Sequence, residues 1–298
     1  MMEKKLGIWL CGCSLALALV FLPGQVQGAM YVEAYLGGVQ GANAGMGSAV
    51  IHPAFAGAPR LSPGNAGEVF SVPGILAPAV MGGLKVGTWF VREGFLGFNY
   101  PEWMKYFGFN LDFSYHRLDF RTQEFSRLVS FFRPGVQTPI NGNTSLTSFE
   151  SIGKAATLAF MLSARYGFLP DSEVPFGRLQ PYIAVGPAIL FSSQEVNLAL
   201  MRARPRVGTP ALAYAVKPGS DSSVDIALAV ETGIRYMALK NVSIDISFKY
   251  RYAQPTYDYS FIDPYVEDAR AAVPIATGIT LTPTYHLLSG QMGVAYHF

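Results

Sequence analysis

The sequence has few charged residues. Only 14% of its 298 residues are Asp, Glu, Lys or Arg, whereas charged residues usually make up about a quarter of a soluble globular protein. Half of the residues are hydrophobic, and the mean hydropathy is +0.26. The formal net charge is only +2, and no basic stripe with interleaved aromatic residues is present. We therefore expect no nucleic-acid partner.

The sequence also has little cysteine: Cys11 and Cys13 are the whole supply, and both lie near the N-terminus. Leu10 and Cys13 give this stretch a superficial similarity to a lipoprotein acylation site, but most of the apolar run follows Cys13, the reverse of the usual order. Both cysteines are expected to leave with a signal peptide. The mature chain is then predicted to have no disulfide bonds.

The N-terminal segment has the three parts of a secretory signal peptide. Lys4 and Lys5 supply the positive part, residues 6–22 are predominantly apolar, and small residues precede residue 29. We predict a signal peptide over residues 1–28, with cleavage after Gly28 or, alternatively, one residue later. The mature protein, 29–298, is expected to be exported.

Beyond the signal segment, the sequence lacks any apolar run long enough for a transmembrane helix. Its hydrophobic residues alternate with polar ones instead. From Phe107 to Tyr115, every second residue is aromatic or leucine, with Gly, Asn, Asp and Ser between them. In a strand, successive side chains point to opposite faces, so this segment has one aromatic and one polar face. A half-buried strand of a soluble sandwich would explain this segment alone, but the pattern recurs.

The same alternation predicts eight strands. They cover about residues 31–38, 79–91, 103–120, 152–168, 180–196, 224–236, 242–252 and 284–298. Long and short connections alternate between them, with four long loops predicted at about 39–78, 121–151, 197–222 and 253–282. In an up-and-down barrel, this order collects the long loops at the extracellular end and leaves both termini at the end with short turns.

Ionisable residues occupy the polar face of these strands. They are Glu33, Lys85, Asp112, His116, Arg165, Glu231, Arg235, Asp245, Lys249 and Arg251. Charges facing hydrocarbon would be costly, whereas the interior of an eight-stranded barrel is just wide enough to be filled by side chains. We therefore predict a network of paired charges that plugs the lumen.

Together, these features resemble the eight-stranded outer-membrane β-barrel family that includes the OmpA transmembrane domain and OmpX-like proteins. The most specific part is the C-terminus, where Met292, Val294, Tyr296 and Phe298 match the family's C-terminal assembly signal. The resemblance implies an all-β, antiparallel, up-and-down transmembrane barrel in the bacterial outer membrane, inserted by the barrel-assembly machinery. Because the sequence stops after the eighth strand, no peptidoglycan-binding domain is expected.

No residue combination predicts a catalytic, cofactor or metal site. Some eight-stranded barrels act on lipid A with His, Ser and an acidic residue, and His116 shares the polar face with Asp112 and Ser114. No nucleophile elbow or oxyanion motif accompanies them, so we interpret His116 as a member of the lumen network. No cysteine or histidine cluster has metal-ligand spacing.

We therefore expect a non-enzymatic outer-membrane barrel with a structural or surface-interaction role, in membrane integrity or adhesion. Its predicted partners are outer-membrane lipid, lipopolysaccharide, the assembly machinery and an extracellular partner bound by the loops. Two alternatives are a small passive pore for small solutes and a lipid A-modifying enzyme. A short basic cluster, Arg202, Arg204 and Arg206, is predicted to be a solvated loop or a contact for lipopolysaccharide phosphates.

Overall fold

The computed structural model describes residues 30–42, 44, 49–53, 68–70, 74–91, 100–131, 140–141, 145–201, 213–263 and 275–298. The predicted signal peptide, both cysteines and the basic cluster at 202–206 lie outside the described residues. In the part of the chain that is described, no helix is long and apolar enough to span a bilayer.

Antiparallel strands make up most of the described chain. Their bounds are β1 Met30–Gly41, β2 Ala49–Pro53, β3 Glu68–Phe70, β4 Ala79–Trp89, β5 Phe107–Arg117, β6 Phe120–Phe131, β7 Ile140–Asn141, β8 Ser145–Arg165, β9 Leu179–Met201, β10 Ala213–Met237, β11 Val242–Ala253, β12 Tyr257–Asp263, β13 Ile275–Leu281 and β14 Tyr285–His297. A single turn of 3-10 helix, Glu102–Tyr106, precedes β5.

Eight of these strands close into a barrel. Going around the wall, β1 pairs with β4, β4 with β5, β5 with β8, β8 with β9, β9 with β10, β10 with β11, β11 with β14, and β14 with β1. Every pair is antiparallel, and because the last pairing returns to β1, the wall is closed. The eight predicted strands and the up-and-down order are confirmed.

Local sequence sets the register of the wall. The turn between β10 and β11 is tight because Leu239 and Val242 exchange backbone hydrogen bonds, N to O 3.0 and 3.4 Å. This turn places Glu231 opposite Lys249 and Arg235 opposite Asp245. Opposite charges at directly facing positions stabilise a strand pair, so turn and charge pattern specify the same register.

The outer face of the wall is a belt of exposed apolar side chains. Among them are Leu36, Val80, Leu84, Phe109, Phe113, Phe160, Leu162, Ile183, Val185, Phe191, Ile226, Leu228, Ile234, Ile246, Phe248, Leu288, Met292 and Val294. Soluble monomers rarely expose a continuous apolar surface of this extent. A closed barrel with such a belt is adapted to lipid on its outside.

The end with the short connections, called the lower end, is braced by a compact turn between β8 and β9. The Asp171 carboxylate accepts hydrogen bonds from the backbone N–H groups of Val174, at 2.7 Å, and Glu173, at 3.0 Å, and pairs with Arg178. The hydrogen bond from Val174, followed by the Arg178 contact, lowers the pKa of Asp171. Arg178 also donates to the Met237 carbonyl, at 3.1 Å, which links this turn to the end of β10.

The predicted long loops contain strands, which the sequence interpretation missed. β2 and β3 lie within 39–78, and β12 and β13 lie within 253–282. The interval 121–151 contains all of β6 except its first residue, β7 and the start of β8. Within the interval 197–222, the described residues, 197–201 and 213–222, continue β9 and β10. The strands β12, β13, β2, β3 and β6 follow one another in the sheet and join the wall at β8. We call them, with the parts of β8, β9 and β10 beside them, the upper layer.

The Pro218–Gly219 pair explains why the first part of β10 was predicted as a loop. Pro-Gly usually signals a turn, but here the strand continues through it as an irregularity, with a register shift between Val216 and Gly219. Gly219 has a φ of +102°, a backbone conformation that glycine adopts without the steric cost of a side chain. A bulge therefore replaces the turn that the sequence suggests.

The upper layer encloses an apolar core. Phe120 packs edge-on against Phe149, with ring centroids 5.9 Å apart, and also lies beside Tyr285. Val196, Leu198, Val216, Tyr259, Phe261, Ile279 and Leu281 are buried in the same cluster. The interior of the molecule thus changes from ionised side chains within the belt to apolar side chains above it.

Candidate functional site: the barrel interior

Seven ionised side chains in the lumen form one continuous series of contacts of alternating sign, called here the charge chain. In order, they are Asp112, Lys249, Glu231, Lys85, Glu33, Arg235 and Asp245. Each is at most 3% exposed. The acid–base contacts are 3.6 Å for Lys249–Glu231, 2.6 Å for Lys85–Glu231, 3.2 Å for Lys85–Glu33, 2.5 Å for Arg235–Glu33 and 3.3 Å for Arg235–Asp245.

Two separate groups of strands supply this chain. On β1, β4 and β5, Glu33 lies opposite Lys85, and Lys85 lies opposite Asp112. The four other members come from β10 and β11. Three contacts then cross the lumen: Lys85 to Glu231, Arg235 to Glu33 and Lys249 to Asp112. The charge chain therefore ties opposite walls of the barrel together.

Two tyrosines that the sequence interpretation left out complete the charge chain. The Tyr35 hydroxyl donates to Asp112, at 2.5 Å, and lies 3.3 Å from the Lys249 ammonium. The Tyr182 hydroxyl lies 2.7 Å from Glu231 and 2.8 Å from Asp245. Tyr35 could have been found from its position on the same strand face as Glu33.

The Tyr35 ring needs glycine on the neighbouring strand. Tyr35 lies opposite Gly83 on β4, and a Cβ at Gly83 would be 2.3 Å from the ring. Glycine at position 83 therefore leaves the room that the Tyr35 side chain occupies in the lumen. Gly82 does not serve this purpose, because a Cβ there would lie 3.3 Å from Leu36 on the outer face, and Gly38 has open space beside it.

Arg165 lies apart from the charge chain, at the lower end of the lumen. Its guanidinium stacks on the Trp89 ring, at 3.8 Å, and on the Phe176 ring, at 4.2 Å. It donates to the Gln180 side chain at 2.8 Å. Cation–π contact replaces the carboxylate partner that the sequence interpretation expected.

Arg251 and His116 also lie apart from the charge chain, at its upper end. Arg251 donates to the hydroxyls of Ser114, at 3.0 Å, and Thr157, at 3.3 Å. His116 Nδ1 lies 2.8 Å from the Arg117 carbonyl, so the imidazole N–H donates there when that nitrogen is protonated. Both side chains are buried, and strand parity does not indicate which partner each one meets.

His116 does not form a catalytic arrangement with its neighbours among the described residues. Ser114 accepts from Arg251, Asp112 pairs with Lys249, and no hydrogen bond joins either residue to the imidazole. A hydroxyl nucleophile needs a base within hydrogen-bond reach. In the described part of the chain, no cluster of three or more His, Cys, Asp or Glu residues could hold a metal ion.

A small cavity lies at the lower end of the lumen. Its water-accessible volume is about 10 Å³, which is room for about one water molecule. Lys85, Glu231 and Arg235 of the charge chain line it, together with Trp89 and Tyr182. The underside of the charge chain therefore has room for little more than one water molecule.

Above the charge chain, Gln194 is the centre of a polar cluster within the upper layer. Its side chain donates to the Leu118 carbonyl, at 2.9 Å, and accepts from Ser151, at 2.6 Å. Tyr257 donates to Ser192 at 2.6 Å, and burial raises the pKa of Tyr257 to about 12. These bonds connect β12 to β9 and close the interior above His116 and Arg251.

The four residues predicted as the C-terminal assembly signal lie on the outer face. Met292, Val294, Tyr296 and Phe298 are all exposed, and Phe298 N donates to the Met30 carbonyl at 3.0 Å. They follow one another along the side of the last strand that faces outward. Their role in assembly stays a prediction.

No protein-family model and no curated protein matches this chain. Solved structures do match. The outer membrane protein OprG from Pseudomonas aeruginosa is 13% identical, with 92% of this chain and 98% of that chain covered and a TM-score of 0.38. A major outer membrane protein from Thermus thermophilus is 13% identical, with coverage of 91% and 100% and a TM-score of 0.42. The outer membrane protease OmpT from Escherichia coli is 12% identical, with coverage of 91% and 97% and a TM-score of 0.37.

The chain's own surface is that of an outer-membrane barrel. Its wall is closed, its outer belt is apolar, and its ionised side chains face inward. This combination is the architecture of bacterial outer-membrane β-barrels. The fold of this chain is therefore that of an eight-stranded transmembrane β-barrel.

Proposed function

We propose that this chain is a non-enzymatic outer-membrane barrel with a closed lumen, which serves membrane integrity or adhesion by displaying its upper layer at the cell surface. The observation that carries the proposal is the charge chain from Asp112 to Asp245. It crosses the lumen three times, and all seven of its members are buried.

The energetics of buried ions support a structural role for the charge chain. A buried ion pair rarely adds much net stability, because desolvation offsets the attraction, but removing one partner is strongly destabilising. Each acid of the chain contacts at least one cation, and Glu231 lies between Lys85 and Lys249. Such an arrangement fixes the cross-section of the lumen and leaves little room for solute.

The layers above and below extend this closure. Above the charge chain lie the Gln194 cluster and the apolar core around Phe120 and Phe149. Below it, Arg165 is stacked between Trp89 and Phe176. A solute would have to displace packed side chains at three levels, which supports a scaffold rather than a channel.

The upper layer supports a surface role. Strands β8 and β9 pair continuously from the wall into this layer, so its position relative to the membrane is set by strands rather than by flexible loops. We propose that an extracellular partner binds there. Lipopolysaccharide around the barrel and the assembly machinery at the outward-facing C-terminal residues are the other proposed partners.

Conductance tests the closed lumen. Folded, processed protein isolated from outer membranes is reconstituted into planar bilayers after a heat-dependent shift in gel mobility has verified its fold. We expect no discrete current steps. The sensitivity control is the K85A/E231A double variant, which removes the central link while leaving Glu33 with Arg235 and Lys249 with Asp112.

Reproducible current steps from the unaltered protein would overturn the closed lumen and make the passive pore the function. The water-accessible cavity beneath the charge chain is the observation that favours this second candidate. The non-enzymatic assignment has its own test, which compares lipid A masses from cells with and without the protein. A mass change that disappears in H116A would refute it.

A further inference from the structure

On two neighbouring strands, the outward-facing residues of the barrel wall change from uncharged to charged at the same level. On the spanning strands, the described outward-facing positions within the belt are uncharged. Lys154 on β8 and Arg117 on β5 are the first charged residues met on going upward, and both are exposed. On β9, the first charged outward residue is Glu195, and it pairs with Ile152, one outward position above Lys154.

Arg117 and Lys154 are directly opposite each other in the strand pair β5–β8. Two like charges at facing positions destabilise a strand pair. Arg117 is partly compensated by Asp119, at 2.7 Å, whose other carboxylate oxygen accepts from the Gly153 N–H at 2.9 Å. Lys154 has no ion-pair or hydrogen-bond partner among the described residues. Lys154 therefore lies beside a second cation without an ion-pair partner of its own among the described residues.

The level of this pair coincides with the upper boundary of the hydrocarbon. On β8, the outward-facing residues from Tyr166 up to Ala156 are uncharged. Ten residue steps of about 3.3 Å along a strand tilted by about 40° rise roughly 25 Å, which is the height of the apolar band of an outer-membrane barrel. Lys154 follows immediately and therefore stands where lipid headgroups lie.

The wall directly below the pair offers an apolar surface. Phe113 lies opposite Leu158, and Ala156 lies opposite Phe191, across adjoining strands. Phe113 and Phe191 are 39% and 44% exposed, so their rings are open to the surroundings of the barrel. Two cations above an exposed aromatic and aliphatic surface match a molecule with an anionic head and acyl chains.

We propose that Arg117 and Lys154 bind a phosphate group of a lipid A-type glycolipid in the outer leaflet, with its acyl chains lying on Phe113, Leu158 and Phe191. The phosphate compensates the facing positive charges through charge-assisted hydrogen bonds from both side chains. A membrane lipid fits this site because the surface below the pair faces hydrocarbon. The assignment rests on the proposed outer-membrane role but is independent of whether the lumen conducts.

Native mass spectrometry of the folded, processed protein in detergent tests this site. The protein is titrated with bisphosphorylated lipid A in the presence of EDTA, which removes bridging divalent cations. We expect the R117Q/K154Q variant to bind at least about tenfold more weakly than the unaltered protein, because both charge-assisted contacts are lost. The matched control is K105Q/K240Q, which removes two exposed cations from the lower end and should bind normally.

A second comparison uses the unaltered protein alone, so it does not depend on a variant folding. Lipid A from which both phosphates have been removed should bind weakly to the unaltered protein. Its affinity should be about that of bisphosphorylated lipid A for R117Q/K154Q. Equal binding of the phosphorylated and dephosphorylated lipids would overturn the proposal, as would normal binding by R117Q/K154Q. Conductance of R117Q/K154Q should match that of the unaltered protein, which separates this outcome from failure of the closed lumen.

Discussion

Replacing Lys249 with methionine isolates the role of pairing in the charge chain. Methionine has nearly the volume of lysine but carries no charge. Lys249 pairs with Asp112 and lies 3.6 Å from Glu231. After K249M, Glu231 still contacts Lys85, at 2.6 Å, but Asp112 loses its cation and keeps only the Tyr35 hydroxyl. The substitution therefore leaves one buried carboxylate without a counter-charge.

The expected cost is large. Removing one partner of a buried pair typically costs about 3–5 kcal/mol, which lowers the folding equilibrium constant roughly 100-fold to several thousand-fold. The D112N/K249M double variant removes both charges and keeps a hydrogen-bonding group beside Tyr35. We expect this double variant to regain most of the loss, because no ion is then left buried without a partner.

The assay is reversible urea unfolding of the barrel in lipid vesicles, followed by tryptophan fluorescence and by the heat-dependent gel shift. The free energies of unfolding of K249M, D112N/K249M and the unaltered protein are compared at one pH. K240M serves as the control, because Lys240 is an exposed lysine in the β10–β11 turn and surface changes usually stay within about 0.5 kcal/mol.

Two results would refute the reasoning. A K249M protein as stable as the K240M control would show that Asp112 does not depend on Lys249. A D112N/K249M protein no more stable than K249M would show that lost packing, rather than an unpaired charge, accounts for the cost. In either case, the charge chain would not be the element that specifies the closed lumen.

Two further predictions concern packing and pH. G83A should destabilise the barrel by about 1–3 kcal/mol, because the added Cβ would lie 2.3 Å from the Tyr35 ring. G38A is the control, because position 38 has open space beside it. The G38A protein should unfold at nearly the same urea concentration as the unaltered protein. D171N should lower the thermal midpoint at neutral pH, because the lowered pKa of Asp171 means that folding favours its ionised form. That contribution is fully present above the pKa of the unfolded chain, about 3.9, and is lost as pH falls through the folded value. The difference between D171N and the unaltered protein should therefore shrink at acid pH, and a constant difference would contradict the assignment.

The spanning strands could be predicted because lipid and lumen impose opposite demands on alternate residues throughout their length. The face of each charged residue followed from the same alternation. The partners could not be predicted, because pairs such as Lys85 and Glu231 join strands far apart in the sequence and meet only after closure. Arg165 illustrates this. It lies on the same strand face as the members of the charge chain, but its neighbours at the lower end of the lumen are aromatic rings rather than carboxylates.

The upper layer could not be predicted for a different reason. Above the lipid, water contacts one side of the strands, and turn-forming residues such as Pro218 and Gly219 occur inside them. Strands as short as Glu68–Phe70 offer too few residues for an alternating pattern to be recognised. Gln194 was missed as well, because a single glutamine gives no sign in the sequence of the carbonyl and hydroxyl groups that it will meet.

Because β10 is continuous, it extends far above the hydrocarbon layer. From Ala213 to Val224, this strand continues beyond its pairing with β11, and eleven residue steps of about 3.3 Å at a tilt of about 40° carry it roughly 28 Å farther from the hydrocarbon. The first described residues of β10 therefore stand well above the level at which the wall leaves the hydrocarbon. The extracellular partner proposed above would therefore bind at this end without entering the lipid headgroups.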